Sequence, residues 1–262
     1  MDSPFSTPAR PGDDTQPMTN TSTATSPAPA PSGLLSRFVG IITSPKATFE
    51  DVAAHARWFG MFALTIGIIV ACTTAPLFTE WGRQAALDMQ VQQMESFGMQ
   101  VGDEQYAAME RSMEFGAYMN GVGVLVFSAV MLVVICGILF AIFNAVMGGN
   151  ASFKQLVAVV VHAGVISALA QLFAAPLNYA RGSMSSSTNL AVLLPMLDEG
   201  SFVAQFLGMI DLFMVWYVVV LAIGLGVLYK RRTQPIAYSL FAVYGVIAVV
   251  IALVKSSLGG GN

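Results

Sequence analysis

Charged side chains are scarce in this sequence: they make up 10% of the 262 residues, whereas 55% of the residues are hydrophobic. A typical soluble domain carries roughly 25% charged residues. Because so few charges cannot cover a surface that faces water, the composition predicts a protein that lies in a lipid bilayer. The net charge of −3 is small and argues against nucleic acid as a partner.

Cysteine and histidine are nearly absent, with two residues of each type. Cys72 and Cys136 fall inside apolar stretches, so we interpret them as buried thiols and expect neither a disulfide framework nor a zinc site. The sequence contains no GxSxG, no HExxH, no phosphate loop and no cluster of paired carboxylates. We therefore expect no catalytic residues, no cofactor and no bound metal, and we predict that the protein is not an enzyme.

A basic stretch followed by an apolar core, which marks a signal peptide, is missing from the start of the chain. Residues 1–32 are instead acidic, polar and rich in Pro, Ser and Thr. Such a segment has little apolar surface to offset the entropy of ordering, so we predict a disordered tail that stays attached.

Long apolar runs dominate the rest of the chain. A helix needs about 20 apolar residues to cross the hydrocarbon. We predict an all-α fold, an integral membrane helical bundle over residues 58–254, in which residues 79–120 form an extramembrane helical loop with a break near residues 102–103. Residues 255–262 form a short C-terminal tail. The five predicted transmembrane helices are residues 58–78, 122–147, 156–179, 211–229 and 236–254.

The distribution of Lys and Arg predicts the orientation, because cytoplasmic loops carry an excess of these residues. If the N-terminus is cytoplasmic, that side holds seven basic residues near the spans and the other side holds four. The stretch YKRRTQP is the strongest part of this bias. We therefore predict a cytoplasmic N-terminus and, after five spans, a C-terminus outside.

Residues 33–57 have the pattern of two short amphipathic helices. Pro45 suits the first turn of the second helix, with Thr43 or Ser44 as its cap. We favour helices that lie in the lipid headgroup plane; the alternative is that they pack on cytoplasmic loops of the same protein. The apolar face of the first helix consists of Leu34, Leu35, Phe38, Val39 and Ile42, with Arg37 on another face.

Two ionisable residues in the apolar blocks are candidate functional residues, because such residues are costly within spans and often functional. Asp211 either caps a helix that begins just after it, which we favour, or forms a proton or cation site inside a longer helix. His162 either packs as a hydrogen-bonded residue, which we favour, or ligates metal or shuttles protons.

Other residues suggest how the helices pack. Asn144 lies near the end of a block, where its amide either bonds to a neighbouring helix or is hydrated. Small residues recur at four-residue steps and predict a face that packs against another span or a second copy. This face consists of Gly137, Ala141, Ala145 and Gly149.

Three stretches of the sequence resemble bacterial members of the Yip family, whose eukaryotic relatives interact with Rab GTPases. FVGIITSPKATFEDV resembles the entry to the first span, and GGNASFKQLVAVVVHAGV resembles the Gly-rich turn and third span. DLFMVWYVVVLAIGLG resembles the fourth span, with Asp211 and Trp216 in the expected pattern. The resemblance covers roughly residues 34–254. It implies five spans, a bacterial inner-membrane location and no catalytic residues; roles in Rab recruitment do not transfer, because bacteria generally lack Rab proteins.

Our leading hypothesis is a non-enzymatic multi-pass membrane protein that organises membrane or recruits partner proteins. Its expected partners are the lipid bilayer, a second copy of itself and other membrane proteins. The alternative is a small-solute or ion transporter or channel, which requires Asp211, His162 and Asn144 to converge on a hydrated cavity. A weaker alternative is a membrane-bound enzyme that acts on lipids.

Overall fold

Helices make up nearly all of the described chain. The computed structural model describes residues 32–184, 188–194, 196–197 and 201–259, so the predicted tail lies outside the described residues except for Ser32. These described ranges contain no β-strand, only an isolated antiparallel bridge between Asn189 and Asp211. The α-helices are α1 (Leu34–Thr43), α2 (Pro45–Ala54), α3 (Phe59–Thr74), α4 (Glu80–Glu95), α5 (Asp103–Phe140), α6 (Phe153–Ala163), α7 (Val165–Arg181), α8 (Phe202–Met209), α9 (Leu212–Leu228) and α10 (Thr233–Gly259).

Four helical segments of the described chain are long and apolar enough to cross a membrane: Phe59–Phe78, Phe115–Val146, Phe153–Arg181 and Thr233–Leu258. They support a multi-pass membrane protein with an all-α fold. The fourth predicted span corresponds to α9, which is apolar but has only 17 residues. At 1.5 Å per residue such a helix is about 25 Å long, somewhat less than the hydrocarbon thickness of about 30 Å.

Contacts between distant segments define one end of the bundle, which we call the α2 end. Gln155, at the start of α6, donates through Nε2 to the carbonyl of Ala53 in α2 at 3.0 Å. Arg231 donates to the carbonyl of Met147 at 3.2 Å. The α2 end therefore contains α1, α2, the α5–α6 turn (residues 147–152) and the α9–α10 turn (residues 229–232).

The opposite end, the α4 end, contains α4, the described residues of the α7–α9 connection (182–184, 188–194, 196–197 and 201–211) and the last turns of α10. Asn120 of α5 donates to the hydroxyl of Thr74, at the end of α3, at 3.0 Å. The Lys255 ammonium of α10 lies 5.2 Å from the centre of the Phe97 ring, just after α4. Each of α3, α5, α9 and α10 therefore runs from one end of the bundle to the other, as α6 and α7 do together.

The core of the bundle is built around α6, in which residues 156–163 are all buried. Because even the polar side chain of His162 is buried here, this part of α6 is surrounded by protein and does not face lipid. At its crossing with α9, a Cβ added to Gly224 would lie 2.7 Å from Val159 Cγ1 and 2.9 Å from Phe49 Cε1. Gly224 therefore allows α9, α6 and α2 to approach closely.

The helix boundaries differ from the sequence-based expectation in two places. The break predicted near residues 102–103 is confirmed, but α5 then runs without interruption from Asp103 to Phe140, so the loop helix and the second span are one helix. The third block is divided at Gly164 into α6 and α7.

Three of the four small residues on the predicted packing face do not pack against another helix of the described chain. Gly137, Ala141 and Ala145 are exposed, and a Cβ added to Gly137 would meet nothing within 4 Å. The expectation that this face packs against another span is therefore wrong for these three residues. Gly149 is the exception, since a Cβ there would lie 2.7 Å from the Tyr229 ring.

Candidate functional site

The α1 and α2 helices are attached to the bundle, but they differ in what they leave exposed. Phe49 and Val52 of α2 are fully buried in the core, so α2 packs on the same protein and does not place this face in lipid. α1 buries Arg37 and Ile41. On its other side Leu35 is 71% exposed and Val39 is 55% exposed. α1 is thus the part of residues 33–57 that keeps an outward apolar face.

Pro45 forms the corner between the two helices. It is the first residue of α2, where the missing amide hydrogen costs no helical hydrogen bond. Ser44 is the N-cap residue, although its side chain makes no capping bond. The corner is tight, because a Cβ added to Gly40 would lie 2.4 Å from Thr48 Oγ1. The position of Pro45 fits a structural role in turning the chain.

An ion pair joins α1 to α2. Arg37 Nε lies 2.9 Å from Asp51 Oδ2, and the Ser32 hydroxyl donates to the same carboxylate. His55 Nδ1 lies 3.1 Å from Asp51 Oδ1, and Arg37 Nη1 donates to the His55 carbonyl at 3.3 Å. Burial raises the pKa of Asp51, but the Ser32 hydrogen bond and the Arg37 charge outweigh it, so the pKa lies below its usual value.

The sequence interpretation missed this pair, because it placed Arg37 off the apolar face of α1 and named no partner for it. Arg37 is in fact only 3% exposed. A usable signal was present: Asp51 and His55 are four residues apart on α2, which places both on one face of that helix. No pattern in the sequence indicates, however, that this face meets α1.

His162 is fully buried in α6. Its Nδ1 lies 2.7 Å from the Ala158 carbonyl, and because a carbonyl only accepts, Nδ1 carries the hydrogen. Nε2 is buried without a partner among the described residues. The described residues hold no group of three or more His, Cys, Asp or Glu that could bind a metal ion.

Asn144 lies in a π-helical segment, Ala141–Val146, that continues α5. Its Nδ2 donates to the Ala151 carbonyl at 2.8 Å, while its Oδ1 is buried without a partner in the described chain. The amide therefore ties the end of α5 to the start of α6. π-Helical turns are rare and often occur at functional sites, and nothing in the periodicity of this block predicted one.

Asp211 is the N-cap of α9. Its Oδ1 accepts from the backbone nitrogens of Phe213 at 2.8 Å and Met214 at 3.1 Å, and the Thr188 hydroxyl donates to its other oxygen. α8 ends at Met209, so no continuous helix encloses Asp211. Trp216 is partly buried on the same helix and stacks on Phe213 with ring centres 6.3 Å apart.

A cavity of about 1010 Å³ opens at the α4 end of the bundle. Trp81 lines it with an indole nitrogen that is buried and has no partner among the described residues. Asp211 lies in the cavity wall, but His162 and Asn144 do not line it. The candidate residues therefore do not converge on one site. Other polar side chains of the wall include Thr73, Glu95, Asn120, Gln171, Asn178 and Lys255.

Comparison with known proteins assigns the chain to a family. A family model described as the Yip1 domain matches residues 39–254. The chain belongs to the Yip1 domain family. The resemblance noted in the sequence is thereby confirmed. A curated relative, the membrane protein YknW of Bacillus subtilis (strain 168), is 26% identical over 230 residues, which are 84% of this chain and 91% of the relative. No solved structure matches the chain at a significant level.

The Yip1 domain match covers most of the described helical bundle. The match begins at Val39 inside α1 and ends at Val254 inside α10, so it includes α2, the core helix α6 and both turns of the α2 end. In this chain the matched region is thus an all-α unit whose core includes a helix, α2, that lies before the first candidate span.

Proposed function

We propose that the protein is a non-enzymatic membrane organiser that contacts the membrane surface or partner proteins through the outward face of α1. The observation that carries this proposal is the division of α1 into two faces. Arg37 and Ile41 fix the helix to the bundle, while Leu35 and Val39 point away from it. An exposed apolar face on a helix next to the first span suits the boundary between headgroups and acyl chains.

The attachment of α1 determines what the exposed face can do. Residues Ser32, Arg37, Asp51 and His55 bind α1 to α2, and α2 is buried in the core. The exposed face therefore has a fixed position relative to the spans. Residues 33–57 act in this proposal as a rigid interfacial element, and residues 58–254 as the membrane domain that holds it.

We further propose five crossings with the N-terminus in the bacterial cytoplasm and the C-terminus outside. The α9 helix connects Asp211 at the α4 end with Tyr229 at the α2 end, which supports a crossing despite its 17 residues. Five end-to-end passages leave the two termini on opposite sides. The excess of Lys and Arg on the α2 end favours the cytoplasm for that end.

The test of the α1 proposal uses point changes, because a deletion of residues 33–56 would also remove Phe49 and Val52 from the core. In L35Q/V39Q, we expect loss of partner crosslinking in cells and of remodelling of liposomes, with membrane insertion intact. The matched control is M89Q/M99Q, which changes two exposed apolar residues at the α4 end. If wild type and L35Q/V39Q behave alike in both assays, the proposal is wrong.

The topology is tested separately with reporter fusions at the two termini. We expect the N-terminal reporter to be active only in the cytoplasm and the C-terminal reporter only outside. Reporters that place both termini in one compartment would exclude five crossings without bearing on the role of α1.

The cavity at the α4 end favours a second candidate function, the transport of a small solute or ion. Asp211 lies in its wall together with the neutral polar side chains of Gln171 and Asn178. D211N removes the charge but keeps a good helix cap, because Asn and Asp serve equally well as N-caps. Flux in proteoliposomes that wild type supports and D211N abolishes would establish this candidate; equal flux would exclude a role for the carboxylate.

A further inference from the structure

A second cavity, of about 450 Å³, lies at the α2 end and is strongly basic. Its charged lining consists of Lys46 from α2, three consecutive residues of the α9–α10 turn, and Glu50 as the only acidic side chain. Every ion pair found in the described residues involves Asp51, so none of the four cations is neutralised in this way. The three turn residues are Lys230, Arg231 and Arg232.

The basic turn is held in a defined conformation. Lys230 adopts a left-handed backbone with φ of 52°, and the Arg231 amide donates to the Gly226 carbonyl at 2.9 Å. Tyr229 stacks on Phe143 of the π-helical segment with ring centres 4.7 Å apart. These contacts, with the Arg231 bond to the α5–α6 turn, fix the backbone that carries the cations. A bound anion would therefore not have to order a flexible loop.

The position of the cavity indicates the kind of anion. It lies where α9 ends and where the candidate span Thr233–Leu258 begins. If this segment crosses the membrane, its first residues lie at the level of the lipid headgroups. From this point α10 continues with exposed side chains, including Tyr238 (72% exposed) and Val243 (60% exposed), that suit contact with acyl chains. Basic pockets between helices at this depth fit the phosphate of a lipid.

We propose that Lys46, Lys230 and Arg232 bind the phosphate of an acidic phospholipid headgroup. Lys supplies a compact charge, and Arg donates in a planar fork that matches phosphate oxygens. Arg231 adds its charge while its Nη2 hydrogen bond to Met147 holds the turn. The site is independent of the outward face of α1, since α1 contributes no residue to its lining.

The test uses full-length protein reconstituted into nanodiscs of equal phosphatidylglycerol and phosphatidylcholine and then extracted gently for native mass spectrometry. We expect wild type to retain clearly more phosphatidylglycerol than phosphatidylcholine. K230N/R232Q should reduce that excess by about tenfold or more, because each basic side chain contributes severalfold to the binding of acidic lipid. Asn is chosen at position 230 because it tolerates a left-handed backbone.

The matched control, R57Q/K154Q, removes two exposed cations near the α2 end that do not line the cavity. It should keep the lipid excess of wild type. Equal losses in both double variants would mean diffuse surface attraction and would overturn the proposal, as would the absence of any excess in wild type.

Two further arms complete the test. Inorganic phosphate at millimolar concentration should leave the bound lipid in place; displacement by phosphate alone would identify a soluble anion as the ligand and overturn the lipid assignment. K46Q, which changes only an exposed residue of α2, provides a variant that does not touch the turn. If K230N/R232Q fails to fold, the result for K46Q decides. A severalfold loss of bound phosphatidylglycerol in K46Q supports the site, and a ratio of phosphatidylglycerol to phosphatidylcholine equal to that of wild type rejects it.

Discussion

The two ends of the bundle are built on different principles. At the α2 end, short turns join the spans, and the side chains of Phe49 and Val52 are fully buried in the core. At the α4 end, long connections join the spans and surround a cavity of about 1010 Å³. This difference indicates that packing at the α2 end holds the helices together, whereas the α4 end leaves room between them. Substitutions at the α2 end should therefore lower the free energy of unfolding more than comparable substitutions at the α4 end.

The largest difference is expected between two phenylalanines. F49A should lower the free energy of unfolding by about 3–5 kcal/mol, because it removes a fully buried ring from the core. F78A, near the α4 end, changes a ring that is 55% exposed and should cost less than about 1 kcal/mol. Unfolding in mixed micelles measures both values. Equal costs would show that the α2 end is not the stable core.

The next largest difference concerns two cations. R37Q leaves the Asp51 carboxylate without its ion pair and should cost about 2–3 kcal/mol in unfolding free energy, because Arg37 is 3% exposed. At the α4 end, K255Q loses a contact with the Phe97 ring that is worth about 0.5–1 kcal/mol.

A double-mutant cycle separates the ion pair from other effects of R37Q. If D51N in the R37Q background costs clearly less than D51N alone, the two side chains are coupled as the geometry requires. Additive costs would show that the pair contributes nothing to stability.

Glycines provide a third comparison. G224A should destabilise the bundle by about 1–2 kcal/mol, because a Cβ would lie 2.7 Å from Val159 Cγ1 and force the helices apart. G208A, in α8 at the α4 end, should be neutral or slightly stabilising, since a Cβ there would be 3.9 Å from Ala191 Cβ. Thermal unfolding in detergent measures both. A neutral G224A would mean that α9 is free to shift away from α6.

The sequence predicted those parts of the fold that depend on local information. The length of an apolar run is such a property, so four of the five predicted membrane blocks and the break near residues 102–103 were found. The N-cap preference of Asp211 is also local, because its two capping hydrogen bonds come from the nearby backbone nitrogens of Phe213 and Met214. Pro45 likewise marked the start of α2.

Features that depend on contacts between distant segments could not be predicted from patterns. Burial of Arg37 requires Asp51 on the next helix, and burial of Phe49 requires Gly224 of α9. The role of Gly224 in helix packing likewise depends on α2 and α6, which are distant from it in sequence. The basic cavity similarly depends on Lys46 lying near a turn that is distant in sequence.

The smallest expected effect is a pH dependence that belongs to the α2 end. The folded-state pKa of Asp51 lies below its usual value, so the carboxylate binds protons less readily in the folded than in the unfolded protein. Its stabilising contribution is therefore complete above the ordinary aspartate pKa of about 3.9 and is lost as the pH falls through the lower folded-state pKa. The free-energy difference between wild type and D51N should be constant from about pH 7 to pH 5 and should shrink below about pH 4.

The matched control is D88N, which removes an exposed carboxylate on α4 that forms no ion pair within the described chain. Comparing each variant with wild type removes the contribution of those titrating groups that do not contact the changed carboxylate. We expect the difference between wild type and D88N to change less between pH 5 and pH 3.5 than that for D51N. If the D51N difference stays constant over this range, Asp51 is not stabilised in its charged form, and the ion pair with Arg37 does not hold α1 on the bundle.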